Sequence, residues 1–288
     1  MAITYNNLYM DIRQQLRRAD LPGATLEARE LVCYGASKTR EELQRDGHLY
    51  VPEAIESRIR RLVQQHLDGE PVAYLIGEWE FYGLPLDISP DVLIPRPDTE
   101  VLAGAAIEYV RGKKTARVLD LCAGSGCVGL AVASQCPDAF VVLGDISEAA
   151  LRICRQNIRR NNLLGRVVPY QVDALDKPPA HMGEFDCLVC NPPYIPDGDI
   201  AGLDSSVKDY EPLLALKGGE DGLAFYRNIV RRWRDLLTVD GRLYFEVGLG
   251  QADEVLRLMR TAGFGDIEVI PDLSGIPRVV YGTLCAEI

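Results

Sequence analysis

The segment DCLVCNPPYI at residues 186–195 joins an apolar run to a polar amide, two prolines and an aromatic ring. Proline fixes φ and carries no N–H, and the residue before a proline is pushed toward extended geometry. We therefore expect Asn191 and Pro192 to present acceptor oxygens in nearly fixed directions. The side-chain oxygen of Asn191 and the carbonyl of Pro192 can then accept hydrogen bonds from both N–H groups of one planar nitrogen.

Methyl transfer to a planar amide or amine nitrogen is the chemistry that suits this arrangement. Such a nitrogen is a poor nucleophile because its lone pair is delocalised, and the sequence offers no obvious strong base beside it. Two acceptors favour the positive charge that develops on the nitrogen, and this effect grows toward the transition state. The ring of Tyr194, after Pro193, can pack on the flat group. The alternative is a turn whose prolines are only structural.

A glycine-rich turn, DLCAGSG at residues 120–126, follows a predicted strand and precedes an apolar helix. Ligands bind beyond the carboxyl ends of parallel strands, and glycine lets the backbone approach them closely. Gly124, Gly126 and Gly129 also satisfy the G-x-G-x-x-G dinucleotide fingerprint, so a nicotinamide or flavin cofactor is an alternative. The glycine spacing alone does not decide between cofactors.

Acidic residues end the next two predicted strands. Asp145 lies about 20 residues beyond the glycine turn, where a carboxylate can accept both hydroxyls of a ribose. Asp173 and the backbone of Ala174 follow the third strand and can meet an adenine edge. With Asp120, this order of strand ends resembles the S-adenosylmethionine site of Rossmann-like methyltransferases. Asp173 taken alone is equally typical of a helix cap.

Strands and helices alternate after residue 100, which predicts an α/β domain with a largely parallel sheet covered by helices on both faces. The predicted strands are 117–122, 140–145, 167–172, 185–190, 241–247, 267–270 and 279–284. The predicted helices are 126–134, 149–160, 223–237 and 252–262. Helical periodicity over residues 5–75 predicts a small N-terminal bundle, and short extended runs over 78–97 predict a hairpin. We expect three parts: a helical domain at 1–77, a hairpin linker at 78–100 and the α/β domain at 101–288.

The composition restricts the class of protein. The 288 residues are 47% hydrophobic and 25% charged, as in an ordinary globular protein, and the net charge of -11 argues against a broad nucleic-acid surface. No apolar run is long enough to span a bilayer, and the N-terminus lacks a signal-peptide pattern, so we expect a cytoplasmic protein without a membrane partner. The eight cysteines, Cys187 and Cys190 included, are expected to be reduced core residues, and no metal site is expected.

Beyond these motifs, the chain resembles the protein-(glutamine-N5) methyltransferases that modify peptide chain release factors. The resemblance rests on NPPY at 191–194 and on segments along nearly the whole chain. These segments are PVAYLIG at 71–77, FYG at 81–83, VLIPRPDTE at 92–100, YEP at 210–212, GEDGL at 219–223 and EVG at 246–248 with Gln251.

The resemblance implies a class I, Rossmann-like, S-adenosylmethionine-dependent methyltransferase with a helical domain for recognition of its protein substrate. It implies that the methyl group goes to the glutamine of the Gly-Gly-Gln motif in a release factor. The cofactor residues expected on this basis, together with the acidic strand end at Asp173, are Cys122, Ala123, Gly124, Ser125, Gly126, Asp145, Asp173, Ala174 and Asn191. The substrate residues are Asn191, Pro192, Pro193 and Tyr194, of which Asn191, Pro192 and Tyr194 are expected to be catalytic.

The sequence departs from the family pattern in three places. Cys122 stands where relatives usually have glycine, Ala174 where some have a large aromatic residue, and Ile276-Pro277 where a polar residue often precedes the arginine. Three other functions remain open: a ribosomal-protein glutamine methyltransferase, an adenine-N6 DNA methyltransferase and a non-catalytic S-adenosylmethionine-binding adaptor. The segment 195–222 exceeds ordinary loop length and is expected to be a lid or docking surface over the site.

Overall fold

The computed structural model describes residues 2–285, which form two compact units, Met1–Gly77 and Glu78–Ile288. The first unit is helical because apolar residues recur at helical spacing. On its first helix, Leu8, Ile12 and Leu16 are fully buried, and the Thr4 hydroxyl caps the helix N-terminus. Its helices are α1 Tyr5–Arg18, α2 Ala24–Ala36, α3 Arg40–Arg45, α4 Glu53–Leu67 and α5 Val72–Ile76.

The second unit opens with a hairpin, β1 (Glu78–Phe81) and β2 (Leu84–Asp87). Its two turn residues both have positive φ, 52° at Tyr82 and 74° at Gly83, as a tight hairpin requires. The hairpin packs on a helix of the same unit, because the backbone of Asp87 exchanges hydrogen bonds with the Asn157 side chain at 2.6 and 3.1 Å. The expected linker is therefore joined to the α/β unit.

A seven-stranded sheet forms the centre of the second unit, in the order β5-β4-β3-β6-β7-β9-β8. The first five of these strands run parallel, and β9 runs antiparallel to both β7 and β8. The predicted largely parallel sheet is thus confirmed. The strands are β3 Arg117–Leu121, β4 Phe140–Asp145, β5 Val167–Gln171, β6 Phe185–Cys190, β7 Leu237–Glu246, β8 Phe264–Pro271 and β9 Pro277–Leu284.

Helices cover both faces of the sheet. Leu119, Leu188 and Leu243 form a row across three strands and share a buried cluster with residues of α10 and α11. On the other face, the side chain of Asp120 accepts a hydrogen bond from the backbone of Gly129 in α7. The helices are α6 Thr99–Val110, α7 Cys127–Gln135, α8 Glu148–Arg160, α9 Ser205–Lys208, α10 Ala224–Arg232 and α11 Ala252–Thr261.

One predicted helix is shorter than the sequence pattern indicated. The expected helix at 223–237 ends at Arg232, a 3₁₀ turn covers Arg234–Leu236, and β7 already begins at Leu237. Leu237 pairs with Phe185 of β6, so sheet pairing replaces the last helical turn. Apolar periodicity alone cannot separate a helix end from a strand start when both are buried.

The strand order determines where a ligand can bind. The chain leaves β3 toward β4 on one side, whereas β6 pairs with β3 on the other side. The carboxyl ends of β3 and β6 therefore flank the point at which the order reverses, where open α/β sheets bind their ligands. The glycine turn follows β3 and the NPPY segment follows β6.

Candidate active site

A cleft opens at this reversal point, with an empty volume of about 1140 Å³ that includes its opening to solvent. Nine of the predicted site residues line it: Cys122, Ala123, Gly124, Ser125, Asp145, Asp173, Ala174, Asn191 and Pro193. Gly126, Pro192 and Tyr194 do not line the cleft. The structure thus brings residues that follow four different strands to one cleft.

The glycine turn uses left-handed backbone at alternate positions. The φ angles are 62° at Cys122, 56° at Gly124 and 82° at Gly126. A Cβ on Gly124 would meet no atom within 4 Å, so its backbone faces open space on the cleft side. Left-handed φ is uncommon for a residue with a side chain, and this explains why glycine is the ordinary choice at the position of Cys122.

Gly129 allows helix α7 to pack closely against the sheet. A Cβ there would lie 2.3 Å from Leu143 Cδ2, and its N–H donates to Asp120 Oδ2 at 2.8 Å. Burial raises the pKa of Asp120 to about 7, against the opposing effect of the Gly129 hydrogen bond. The third glycine of the G-x-G-x-x-G spacing therefore brings helix α7 close to the sheet.

Asp145 forms hydrogen bonds with the backbone of the glycine turn. Its two carboxylate oxygens accept the backbone N–H groups of Gly124 and Ser147, each at 2.8 Å. Burial raises the pKa of Asp145, and these two hydrogen bonds oppose the rise. Each oxygen keeps a second lone pair, so the carboxylate can still accept hydroxyl groups from a ligand.

Asp173 and Ala174 form the third part of the cleft wall. Asp173 Oδ1 accepts the N–H of Leu175 at 2.8 Å, which is the capping role that the sequence also allowed. The Ala174 carbonyl accepts from Asn228 Nδ2 at 2.6 Å and from Trp233 Nε1 at 3.0 Å. The Ala174 N–H has no acceptor among residues 2–285 and lines the cleft, so it can donate to a ligand.

Asn191 has a defined side-chain environment. Its Nδ2 donates to Oγ1 of Thr99 at 3.3 Å, and Thr99 is buried at the first position of α6. Burial raises the pKa of nearby Glu246 to about 7, whereas hydrogen bonds from Thr99 and Asn191 oppose that rise. With Nδ2 engaged in this way, Oδ1 is left to accept a hydrogen bond from another group.

Tyr194 is held by its backbone. Gln251 Nε2 donates to the Tyr194 carbonyl at 2.9 Å, and Gln251 Oε1 accepts the N–H of Gly248 at 3.0 Å. A Cβ on Gly222 would lie 2.3 Å from the Tyr194 carbonyl oxygen. Burial raises the pKa of Tyr194 to about 12, so the phenol is neutral near pH 7 and is not a base.

The segment 195–222 folds onto the cleft. Ile195 donates to the carbonyl of Leu216 at 3.1 Å, and Gly218 donates back to Ile195 at 2.8 Å. The buried carboxylate of Glu211 pairs with Arg96, which lies on the loop before α6. Pro212, Leu214 and Ala215 of this segment line the cleft.

Two family models match this sequence. One, described as the methyltransferase small domain, covers residues 100–202, and the other, described as the PrmC N-terminal domain, covers residues 7–77. A protein from Clostridium acetobutylicum named release factor glutamine methyltransferase is 41% identical over 210 residues, which is 73% of this chain and 74% of the relative. One of the same name from Thermodesulfovibrio yellowstonii is 37% identical and covers 88% of this chain and 90% of its own.

This chain belongs to the release factor glutamine methyltransferase family. It is a methyltransferase with the class I fold, as the sequence predicted. A solved methyltransferase from Pyrococcus furiosus, 15% identical, superposes with a TM-score of 0.52 over 77% of this chain and 98% of its own. At that identity the likeness shows the fold alone.

Four buried or half-buried residues of this methyltransferase were not predicted as site residues. They are Thr99, Glu211, Glu246 and Gln251. All four lie in segments that carry the family resemblance, but each acts through another residue, so no local pattern assigns it a role. Only Glu246 lies at a strand end, so only this residue carried the signal that indicated the predicted site residues.

The last hairpin turn is fixed by ion pairs. Arg278 pairs with Asp98 and with Asp272, both at 2.9 Å. Asp272 also accepts the N–H groups of Ser274 and Ile276, so the turn between β8 and β9 is closed on itself. Arg278 therefore links this turn to the N-cap residue of α6.

Five of the eight cysteines are buried, as expected, but the expectation is wrong for the other three: Cys122 and Cys127 are half-buried at the cleft and Cys285 is exposed. Cys187 and Cys190 are fully buried in β6, and all eight cysteines are free thiols. Within residues 2–285, no group of three or more His, Cys, Asp or Glu side chains could hold a metal ion. In that same range, no helix is both long and apolar enough to cross a membrane.

Proposed function

We propose that this chain transfers a methyl group from S-adenosylmethionine to the side-chain amide nitrogen of the glutamine in the Gly-Gly-Gln motif of a peptide chain release factor. The observation that carries the proposal is Asn191 at the cleft wall, with its Nδ2 engaged by Thr99 and its Oδ1 left to accept from a substrate. Membership of the release factor glutamine methyltransferase family supports the identity of the substrate.

The cleft fits a nucleoside cofactor. Gly124 leaves open space, Asp145 keeps lone pairs for ribose hydroxyls, and the Ala174 N–H can donate to an adenine nitrogen. When bound, S-adenosylmethionine supplies an electrophilic methyl group on a sulfonium. Cys122, Ala123, Ser125, Gly126 and Asp173 complete the proposed cofactor contacts, and Asn191 lies between cofactor and substrate.

The chain's own residues hold the amide. Asn191 Oδ1 and the Pro192 carbonyl accept hydrogen bonds from the two N–H groups of the substrate amide. These hydrogen bonds draw electron density toward the nitrogen and favour positive charge there. Held by the cleft residues named above, S-adenosylmethionine would supply the methyl group and become the neutral thioether, and the amide nitrogen would lose one proton to solvent. Pro193, at the cleft wall, and the ring of Tyr194, whose backbone Gln251 holds just outside the cleft lining, would pack against the planar group.

Exposed leucines lie on three segments at the cleft end of the sheet and favour a protein substrate. Leu213 and Leu214 are 47% and 55% exposed on segment 195–222. Leu249, 79% exposed, follows β7, and Leu273, fully exposed, lies in the turn between β8 and β9. Since Glu246 of β7 pairs with the start of β9, that turn lies at the same sheet edge as the cleft. Exposed apolar groups around a site mark a surface for a protein partner.

The helical unit, residues 1–77, is proposed to recognise the release factor. Its match to the PrmC N-terminal domain supports this assignment. A single transfer experiment tests the function: purified release factor, ribosomal protein and DNA are each incubated with the enzyme and methyl-labelled S-adenosylmethionine. Label on release factor is expected. Label only on the ribosomal protein or on DNA adenine, or cofactor binding without any transfer, would favour one of the other three functions.

A further inference from the structure

Two buried polar side chains lie next to Asn191. Thr99 is 2% exposed at the first position of α6, and Glu246 is 3% exposed at the last position of β7. Hydroxyl and carboxyl groups are rarely buried without a partner, because their desolvation costs free energy. Thr99 Oγ1 accepts from Asn191 Nδ2 at 3.3 Å, and Thr99 and Asn191 lie close enough to the Glu246 carboxyl to oppose the rise in its pKa that burial causes.

We propose that Glu246 and Thr99 are positioning residues that fix the orientation of the Asn191 side-chain amide, so that Oδ1 faces the substrate glutamine. This inference rests on the proposed function, in which Asn191 Oδ1 accepts a substrate N–H. It assigns a role to two buried residues that are not among the cofactor and substrate contacts proposed above.

The chemistry of the three groups fixes the direction of the hydrogen bonds. An ionised carboxylate only accepts, so the Thr99 hydroxyl directs its single hydrogen to Glu246. The Thr99 oxygen then offers a lone pair, which the Asn191 NH₂ group fills. If the amide rotated by a half-turn, Oδ1 would face a carboxylate, and Nδ2 would face the N–H of the substrate. Both contacts would be repulsive, so the ionised carboxylate selects one of the two orientations.

Protonation of Glu246 removes this selection, because a neutral carboxyl group can donate. Burial raises its pKa to about 7, since Oε2 has no hydrogen-bond partner in the described chain and Thr99, Asn191 and Arg278 only partly offset burial. The titratable or charged groups that act on Glu246 or are acted on by it are Arg278, Asp98, Tyr194, Tyr226 and Cys127. The carboxyl group is ionised above about pH 7, so kcat should fall as the pH decreases through that value.

Substitutions of Thr99 distinguish a role in orienting the Asn191 side-chain amide from a role in packing. Thr99→Val keeps the shape and removes the hydroxyl, and we expect kcat to fall by about 10- to 100-fold with unchanged affinity for S-adenosylmethionine. Thr99→Ser restores the hydroxyl and should keep most of the activity. Thr283→Val is the matched control, since the Thr283 hydroxyl on β9 is buried and has no hydrogen-bond partner within residues 2–285. Wild-type kcat in Thr99→Val, or an equal loss in Thr99→Ser, would overturn the proposal.

A second readout does not require activity. In ¹⁵N-labelled protein without substrate, the side-chain NH₂ signals of Asn191 should shift with pH around 7, and Glu246→Gln should abolish the shift. NH₂ signals that are independent of pH in the wild type would contradict the proposal. If the wild type transfers no methyl group to any glutamine, the proposed function fails, whereas these signals still decide whether Glu246 orients the amide.

Discussion

The side-chain amide of Gln251 donates to the backbone carbonyl of Tyr194 at 2.9 Å, so a residue beyond β7 holds the segment that ends β6. The same Gln251 side chain accepts the N–H of Gly248 at 3.0 Å, which fixes its own orientation. The position of the Tyr194 ring therefore depends on a residue that lies far away in sequence.

Gln251→Glu tests this link. The substitution keeps the acceptor for Gly248 but replaces the donor to Tyr194 with an oxygen that repels the carbonyl. We expect kcat to fall by about 10-fold or more, with unchanged affinity for S-adenosylmethionine, because only the substrate side of the site is displaced. Steady-state kinetics and calorimetric titration measure the two quantities. Weaker cofactor binding with unchanged kcat would show that Gln251 supports the cofactor instead.

The two glycines Gly124 and Gly129 should respond differently to alanine. Gly129→Ala places a Cβ 2.3 Å from Leu143, so we expect a loss of about 1–3 kcal/mol in unfolding free energy. Gly124→Ala meets no atom, and its positive φ costs about 1 kcal/mol, but its Cβ enters the cofactor space and should weaken S-adenosylmethionine binding. Urea unfolding and cofactor titration of both variants check this. Equal cofactor affinity in Gly124→Ala and wild type would refute the proposed contact.

Asp120 should make stability depend on pH. Its pKa is raised to about 7 by burial, whereas in the unfolded chain it ionises near its ordinary value of 3.8. The folded state therefore binds the proton more tightly, and the contribution of this group to stability is full below about pH 4 and is lost as the pH rises through 7.

Asp120→Asn removes that titration and keeps an acceptor for the Gly129 N–H. The unfolding free energy of the variant minus that of wild type should increase by about 2–4 kcal/mol as the pH is raised from 4 to 8. Urea unfolding of the cofactor-free proteins at both pH values gives the comparison, in which the other ionisable groups cancel. A stability difference that does not change with pH would show that Asp120 is ionised throughout the range.

The exposed leucines at the cleft end of the sheet should matter only for a protein substrate. The double variant Leu249→Ser, Leu273→Ser should raise KM for intact release factor by about 5- to 50-fold, since each lost apolar contact costs roughly 1 kcal/mol or more. KM for a short glutamine peptide should change little. Leu164→Ser is the control, because Leu164 is 69% exposed before β5, at the opposite edge of the sheet. Equal KM values in the double variant and the control would exclude this surface.

Residues that directly follow strand ends could be predicted from the sequence to meet at one edge of the sheet, and they line one cleft, whereas their roles in binding and catalysis stay predictions. Asp145, Ala174 and Asn191 each come at or just after an apolar run, and parallel strands bring such positions to one edge. The alternation of strands and helices predicted most elements of the α/β unit, but α6 and the short α9 were not predicted, and α10 ends and β7 begins earlier than expected. A local sequence pattern was sufficient to predict a position at the cleft where a single strand places a single residue there.

Residues that act through others could not be assigned in this way. Thr99 begins a helix and Glu246 ends a strand, and neither position by itself indicates a role at the site. Their proximity to Asn191 depends on the packing of α6 and β7 against β6. The left-handed backbone at Cys122 was also hidden, because cysteine gives no signal for positive φ. These features require the tertiary fold.

In the proposed reaction, Asn191 holds a glutamine amide for methylation. The most direct measurement is tandem mass spectrometry of release factor treated with S-adenosylmethionine and either wild-type enzyme or Asn191→Ala. We predict one added methyl group on the side-chain nitrogen of the Gly-Gly-Gln glutamine with wild type. With the variant, the rate should be lower by about 10²–10³-fold. Methylation at any other atom, or an equal rate with Asn191→Ala, would contradict the account.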